Sequence, residues 1–250
     1  MSSEVQTELA GLQQALLNTD NVEQFLHELA VLAARTVGGL DETISCGMAL
    51  QTGPRQRSGT ASAAACTDPL ASAADQAQYQ AGDGPAVYIL RHARPVLVSD
   101  MMTEERWPRF GRQAASLGIR SCYALPLVSD GAPVGALVLY SRQPDAFGPE
   151  ETGRADRFAA NASGALTLAL RLASCADEND QLRSSIVSRA VIDQALGVIM
   201  ATERCSQEKA LAVLRSVSQN TNVKLRDLAV TIVTSVSGQP PRPTAPFEDG

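Results

Sequence analysis

No proline occurs between Pro149 and Pro240, and this gap constrains the fold more than any other feature of the chain. A proline inside a helix costs about 3 kcal/mol or more, so its absence leaves Glu150 to Thr202 free to run as one nearly continuous helix. Within that stretch Phe158, Ala162, Ala165, Ala169, Leu172 and Ala176 recur at alternating spacings of four and three, the pattern of a coiled-coil seam. The seam residues are mostly small, which suits close approach of two helices. The polar run at 177–180 then interrupts the pattern. It reads either as a junction that could bend or rotate the C-terminal module, or as an exposed helical turn.

Residues 182–236 read as three consecutive helices with short breaks. Between 186 and 201 the apolar residues (Ile186, Val187, Val191, Ile192, Leu196, Ile199 among them) fall on nearly every side of the first helix, which must therefore be covered on more than one side. The second and third helices can cover one face, and a second copy of the chain is the simplest cover for the rest. Ser206 is a good N-cap with Glu208 in the first turn behind it. Ala210, Leu211, Leu214 and Val217 form the stripe of the second helix. Leu225, Leu228, Ala229, Ile232 and Val236 form that of the third. Such a module is marginal in size without a partner.

Charge separates this module from the rest. Residues 182–237 hold seven Lys and Arg (Arg183, Arg189, Arg204, Lys209, Arg215, Lys224, Arg226) against four Asp and Glu (Asp193, Glu203, Glu208, Asp227), a net +3 in a chain of net −6. Both lysines of the chain lie here. A basic patch on an acidic protein is the electrostatic footprint of phosphate contact, although a solvated helical surface has the same composition. Gly197 costs roughly 1 kcal/mol against alanine in mid-helix. Close approach of a helix or of RNA would explain it, and so would simple tolerance.

Arg189, the run Ala195-Leu196-Gly197-Val198-Ile199-Met200, Ala210, Leu214 and the stretch 222–229 (NVKLRDLA) resemble the ANTAR domain, a small RNA-binding module of bacterial antiterminators. The resemblance implies recognition of paired short hairpins in a nascent leader RNA, in competition with a terminator stem. It also implies RNA contact by Arg189, Gly197, Arg215, Lys224 and Arg226, with Ala195 and Met200 shaping the surface. Leu196 stands where other members often carry a lysine, so one contact of the family is missing here.

The N-terminal part alternates helices and strands. Residues 4–37 read as two helical pieces broken at 19–21, the second with the stripe Val22, Phe25, Leu26, Leu29, Ala33 and an end at Gly38-Gly39. Ile44, Cys46, Met48 and Leu50 alternate as a strand does. Gly53-Pro54 is a turn and 55–62 a partner strand. Helices are expected at 68–80, 86–93 and about 107–117, and strands at 95–99, at 119–128 ending at Pro126, and at 134–140. Asp130-Gly131 is a strong hairpin signal. The pattern predicts an α+β fold with an antiparallel sheet and flanking helices, a long connecting helix or coiled coil, and a C-terminal three-helix bundle.

Gly82-Asp83-Gly84-Pro85, Val98-Ser99-Asp100, the 106–110 run RWPRF, Gly118-Ile119-Arg120-Ser121, Pro126-Leu127, Gly135-Ala136-Leu137 and Ala146-Phe147 resemble the GAF family of small-molecule sensory domains, over about 22–173. The resemblance implies a ligand pocket that Asp100, Trp107, Ser121, Tyr123 and Tyr140 could line, for a small molecule of unknown identity. Packing in an ordinary core is the competing reading for the aromatic residues. In many GAF domains that precede ANTAR modules a cysteine follows the Gly-Pro. Here Ala86 stands there, so any thiol chemistry at that position is absent.

The composition narrows the function classes. Five cysteines (Cys46, Cys66, Cys122, Cys175, Cys205) lie far apart with no C-x-x-C pair, and His27 and His92 sit near none of them. No metal, cofactor or catalytic residue is therefore expected, and an enzyme needing paired thiols or a metal cluster is disfavoured. No run approaches 18 consecutive apolar residues and the N-terminus carries no signal-peptide pattern, so no membrane span and a cytoplasmic location are expected. The expected organisation is a sensory domain at 1–177 and an RNA-binding domain at 178–237. The proline-rich tail at 238–250 is too polar to build a core. The reading is a homodimeric RNA-binding antitermination regulator. Its main competitor is a regulator whose helical module docks a protein and never touches RNA.

Overall fold

The computed structural model describes residues 2–19, 21–39, 44–52 and 60–241. It divides into two compact units, Met1–Ala173 and Ser174–Gly250, and its class is α+β with an antiparallel sheet. The tail at 242–250 and the Gly53-Pro54 turn lie outside the described residues.

The N-terminal unit opens with helices α1 (Ser2–Asn18) and α2 (Val22–Gly38). Asn21 caps α2 by accepting the Gln24 N–H at 2.9 Å. The sheet runs β2-β1-β5-β4-β3 and is antiparallel throughout. Its strands are β1 (Ile44–Thr52), β2 (Thr60–Cys66), β3 (Val96–Val98), β4 (Ser121–Ser129) and β5 (Ala132–Ser141). Between β2 and β4 lie α3 (Pro69–Ala81), α4 (Pro85–His92) and α5 (Pro108–Ser116). Each of these starts on a proline, whose fixed φ suits the first helical position.

Strand periodicity distributes the core to both faces of the sheet. Cys46, Met48, Tyr123, Leu125, Leu127, Leu137 and Leu139 point to one face, against α2 and the first turns of the long helix α6 (Pro149–Glu203). Ala49, Cys122, Ala124, Ala136, Val138 and Tyr140 point to the other, against α3, α4 and α5. Burial on both faces is why β4 and β5 read as nearly continuous apolar runs.

Three expectations are corrected. The partner of β1, expected at 55–62, runs on to Cys66 as Thr60–Cys66, and 55–59 lie outside the described residues. β4 runs through Pro126 to Ser129. Its pairing with β3 stops at Ala124, so at Pro126 one side of the strand is open and the missing N–H can face it. Finally, Phe158, Ala162 and Ala169 are not a seam awaiting a second helix. They are buried in the unit's own core with Ala155, Ala159 and Leu166, because small side chains let α6 lie close on the sheet. The Asp130-Gly131 hairpin forms as expected, with φ of 51° and 78°, the left-handed pair of a type I′ turn.

Candidate nucleic-acid interface

In the C-terminal unit the last part of α6 packs with α7 (Gln207–Thr221) and α8 (Leu225–Ser237). Ser206 caps α7 through the Lys209 N–H. Asn222 ends it in a left-handed conformation, φ 53°. Ser218 then locks the turn, its hydroxyl donating to the Val223 carbonyl at 2.6 Å. The core is thin and made largely of small side chains. Val191 and Ala195 meet Ala229, and Leu196 meets Ala210 and Leu214. Val217 and Val236, expected on inward stripes, are 40% and 67% exposed, because two short helices cover only one side of α6.

The predicted RNA residues divide by burial. Arg189, Gly197, Arg215, Lys224 and Arg226 are all exposed, as is Met200. Ala195 is not: it is fully buried against Ala229, so it acts by letting α8 come close rather than as surface. Arg189, Asp193, Gly197 and Met200 follow spacings of four, four and three and are all exposed, one stripe along the outer side of α6. A Cβ on Gly197 would meet nothing within 4 Å, so packing inside this chain does not account for the glycine. Among the described residues, Arg189, Arg215, Lys224 and Arg226 enter no ion pair. Lys224 occupies the N-cap of α8 and no side chain caps that end. The Asp227 and Leu228 N–H groups bond the Lys224 carbonyl, and the Asp227 carboxylate sits in the same first turn, so Lys224 and Arg226 supply the positive charge at this helix start.

The five residues proposed to line a sensory pocket are not all on one face: Trp107 and Tyr140 share one core cluster and Tyr123 lies in the other. Tyr123 faces the α2 side, its hydroxyl donating to Asp156 at 2.6 Å. Tyr140 faces the opposite side. Trp107 is buried with Tyr88 against its ring edge and the Arg106 guanidinium 4.6 Å from its centroid. Ser121 donates to the Gln143 carbonyl. Asp100 forms a two-point pair with Arg120 (3.0 and 2.7 Å), which holds its carboxyl down at about 2. A recess of about 350 Å³ lies instead between α1 and α2, lined by Gln14, Asn18, Glu28 and Arg35 among others.

What the sequence did not single out is a buried polar cluster. Tyr140 donates to Asp75 at 2.5 Å and accepts from the Gln78 amide at 2.6 Å, and Gln78 in turn accepts the Ala86 N–H. The Cys66 thiol points at the other Asp75 oxygen, 3.7 Å away. Burial raises the Asp75 carboxyl to about 7, against the opposing hydrogen bonds from Tyr140 and Cys66. Burial and then the charge of Asp75 push the Cys66 thiol up to about 12, far from a reactive thiolate. Gly47 makes the cluster possible: a Cβ there would sit 2.1 Å from an Asp75 oxygen. The sequence signal was the face of α3 itself, since Ala71, Ala74, Asp75 and Gln78 share one helical stripe.

The geometry defines a class: an α+β domain whose antiparallel sheet is covered on both faces, followed by a small three-helix module with an exposed basic surface. Comparison makes this specific. Residues 20–167 match the GAF domain family, and residues 180–233 match the ANTAR domain family. The chain belongs to the GAF family and carries an ANTAR domain behind it, so it is a regulator with a sensory GAF domain and an RNA-binding ANTAR domain. Both are regulatory rather than catalytic domains.

Solved structures agree on the fold. The GAF domain of a phosphoenolpyruvate-protein phosphotransferase from Acinetobacter is similar at 15% identity and TM-score 0.50, over 67% of this chain and 96% of that one. An N-acylhomoserine-lactone-dependent LuxR-family transcription factor, CepR2, from Burkholderia cenocepacia is similar at 19% identity and TM-score 0.50, over 68% of this chain and 98% of that one. No curated protein matches the chain.

One stretch among the described residues, Ser184–Glu203, is long and apolar enough by composition to cross a membrane. It is also the first helix of the ANTAR match, where Val191, Ala195 and Leu196 serve the bundle core.

Proposed function

We propose that this chain is a transcription antitermination regulator that binds paired short hairpins in nascent leader RNA, works in the cytoplasm, and acts as a homodimer. Residues 1–177 serve as the sensory and dimerising part, 178–237 bind RNA, and 238–250 form a tail. The observation that carries the reading is the exposed cationic set Arg189, Arg215, Lys224 and Arg226, unpaired with acids among the described residues, on a module of net +3. Arg189 lies on the Gly197–Met200 stripe, where it can reach phosphate or stack on an unpaired loop base. Lys224 and Arg226, at the start of α8, supply a second phosphate contact. Two hairpins held by two linked modules gain from effective concentration. Input enters through a small molecule, a partner or the dimer state at the GAF domain.

A second reading has one observation in its favour. Val213, Val217 and Val223 are each 40–41% exposed, which suits docking of a protein. Salt separates the two, because phosphate contacts release counterions and weaken steeply with salt while apolar docking does not. Arg189→Glu and Lys224→Glu should each lower the affinity of the full chain for a two-hairpin RNA by about tenfold or more. They should also flatten its salt dependence. Wild-type RNA affinity in both variants would contradict the proposed surface.

A further inference from the structure

The N-terminal unit carries a basic surface of its own, although the unit as a whole is acidic. Residues 91–120 hold six arginines against Asp100, Glu104 and Glu105, a net +3 within residues 1–173, whose net charge is −5. Arg120 takes up Asp100, and Arg106 takes up Glu104. Of the three acids only Glu105 is left to offset the remaining arginines. Those four, Arg91, Arg94, Arg109 and Arg112, are exposed and enter no ion pair among the described residues. Arg109 and Arg112 lie one turn apart on α5, on the side away from its buried residues Phe110, Gly111 and Ala114.

A line of flat groups joins the two pairs of arginines. The His92 ring stacks on Tyr88, with centroids 4.2 Å apart and 23° between the planes. The Tyr88 ring meets Trp107 edge-on at 5.8 Å, and the Arg106 guanidinium lies 4.6 Å from the Trp107 centroid. The line thus runs from the end of α4, where Arg91 and Arg94 flank His92 in sequence, to the start of α5, where Arg109 follows Trp107. His92 is held twice, by the stacking and by its Nδ1 donating to the Tyr88 carbonyl at 2.9 Å. One face of the imidazole rests on Tyr88, and the residue is exposed, so the other face is open to solvent. Ala93 next takes a left-handed conformation, φ 53°, which residues other than glycine rarely adopt, and Arg94 behind it is exposed.

A fixed ring with one open face, set among guanidinium groups that no acid holds, suits a single-stranded nucleic acid. Its bases stack on flat side chains and its phosphates pair with arginine. An acidic protein surface would use the charges and leave the open ring without a role. We propose that Arg91, His92, Arg94, Arg109 and Arg112 form a second RNA contact, on the GAF domain, for the unpaired nucleotides that flank the hairpins. A base stacks on His92, the adjoining phosphates meet Arg91 and Arg94, and the strand continues toward Arg109 and Arg112. The inference rests on the RNA reading above and deepens it, by assigning the single strand to a surface outside the ANTAR domain.

The test measures binding of the full chain to a two-hairpin RNA trimmed to its stems and loops, and to the same RNA with an unstructured strand of about ten nucleotides added at one end or the other. The added strand should raise the affinity of the parent chain about tenfold. The double variant Arg91→Glu, Arg94→Glu should lose that gain and keep the parent affinity for the trimmed RNA. Arg91→Lys with Arg94→Lys should retain most of it, and His92→Ala should cut it about fivefold. Arg109→Glu, on the other helix, should reduce the gain as well, which keeps the proposal open to refutation if the α4 variant does not fold. Trimmed RNA bound normally with no gain from either extension, or a gain that survives the glutamate variants, would overturn this proposal alone and leave an acidic protein as the partner of these arginines. An abasic extension as good as the natural one would overturn the stacking on His92. Binding of the extended strand through Arg91 and Arg94, with no contribution from the hairpins, would overturn the hairpin reading instead.

Discussion

In the N-terminal unit Phe25, Phe110, Phe158 and Tyr140 are all at most 1% exposed, packed on two faces of one sheet. The C-terminal unit buries Val191, Ala195, Leu196, Ala210, Leu214 and Ala229 and leaves Leu182, Ile186, Val217 and Val236 in the open. The first unit spends its apolar residues inside. The second buries only a few, with further apolar side chains half-buried around them. Exposed apolar residues and exposed cations in one small module are what a surface meant for other molecules looks like, whereas a five-stranded sheet covered on both faces is a scaffold that can hold a buried acid.

The comparison can be broken most forcefully in the scaffold. Phe158→Ala removes a fully buried ring between α6 and the sheet and should cost about 3–5 kcal/mol. Denaturant unfolding of the full chain should show the loss in the transition of the N-terminal unit. If the C-terminal unit melts with it in one transition, the two units are not separable in stability.

Next in size is the buried acid. The Asp75 carboxyl is raised from 3.8 to about 7 by burial, so the folded state keeps a proton that the unfolded chain gives up. That contribution is complete below about pH 4, is lost as pH rises to about 7, and changes no further above it. Asp75→Asn keeps an acceptor for Tyr140 and removes the titration. Its stability relative to the parent chain should therefore rise between pH 4 and 7, by on the order of 3 kcal/mol. A constant difference across that range would mean that Asp75 is ionised in the folded protein.

Leu214→Ala should cost about 2–3 kcal/mol, less than the phenylalanine. The C-terminal unit has so little core that this should nonetheless unfold it, visible as loss of amide protection in α7 and α8 while the sheet stays protected. The smallest effect on stability is expected for Arg189→Glu, within about 0.5 kcal/mol, because Arg189 is exposed and unpaired among the described residues. A melting shift comparable to that of Leu214→Ala would mean that Arg189 holds the unit together instead of facing RNA.

Much of this contrast was legible in the sequence where local rules act alone. Asp130-Gly131 can do little else but turn a hairpin. Asp68-Pro69 and Ser206 open helices, and the missing prolines let α6 run from Pro149 to Glu203. The misreadings come where two surfaces compete for one pattern. Alanines at spacings of four and three suit a coiled coil and equally suit a helix laid on a sheet, and only the sheet's position decides that Phe158, Ala162 and Ala169 face inward. Asp75 and Gln78 look like solvent-facing positions of a polar helix until Tyr140, 65 residues from Asp75 in the chain, arrives to bond them. Tyr123 parts from Trp107 and Tyr140 for the same reason. Tyr123 and Tyr140 lie on adjacent strands and face opposite ways, a matter of register that composition does not carry. The basic surface was the easier part, since exposed cations need no partner in the fold to be recognised.

The most direct test of the account is equilibrium binding of the full chain to a leader RNA with two intact hairpins, beside the same RNA with scrambled loops, at a low and a higher salt concentration. The account predicts loop-dependent binding that falls steeply with salt and is weakened by Arg189→Glu. Binding that ignores the loops, or that is absent both from the full chain and from residues 178–238, would contradict it and favour a protein as the partner of the C-terminal unit.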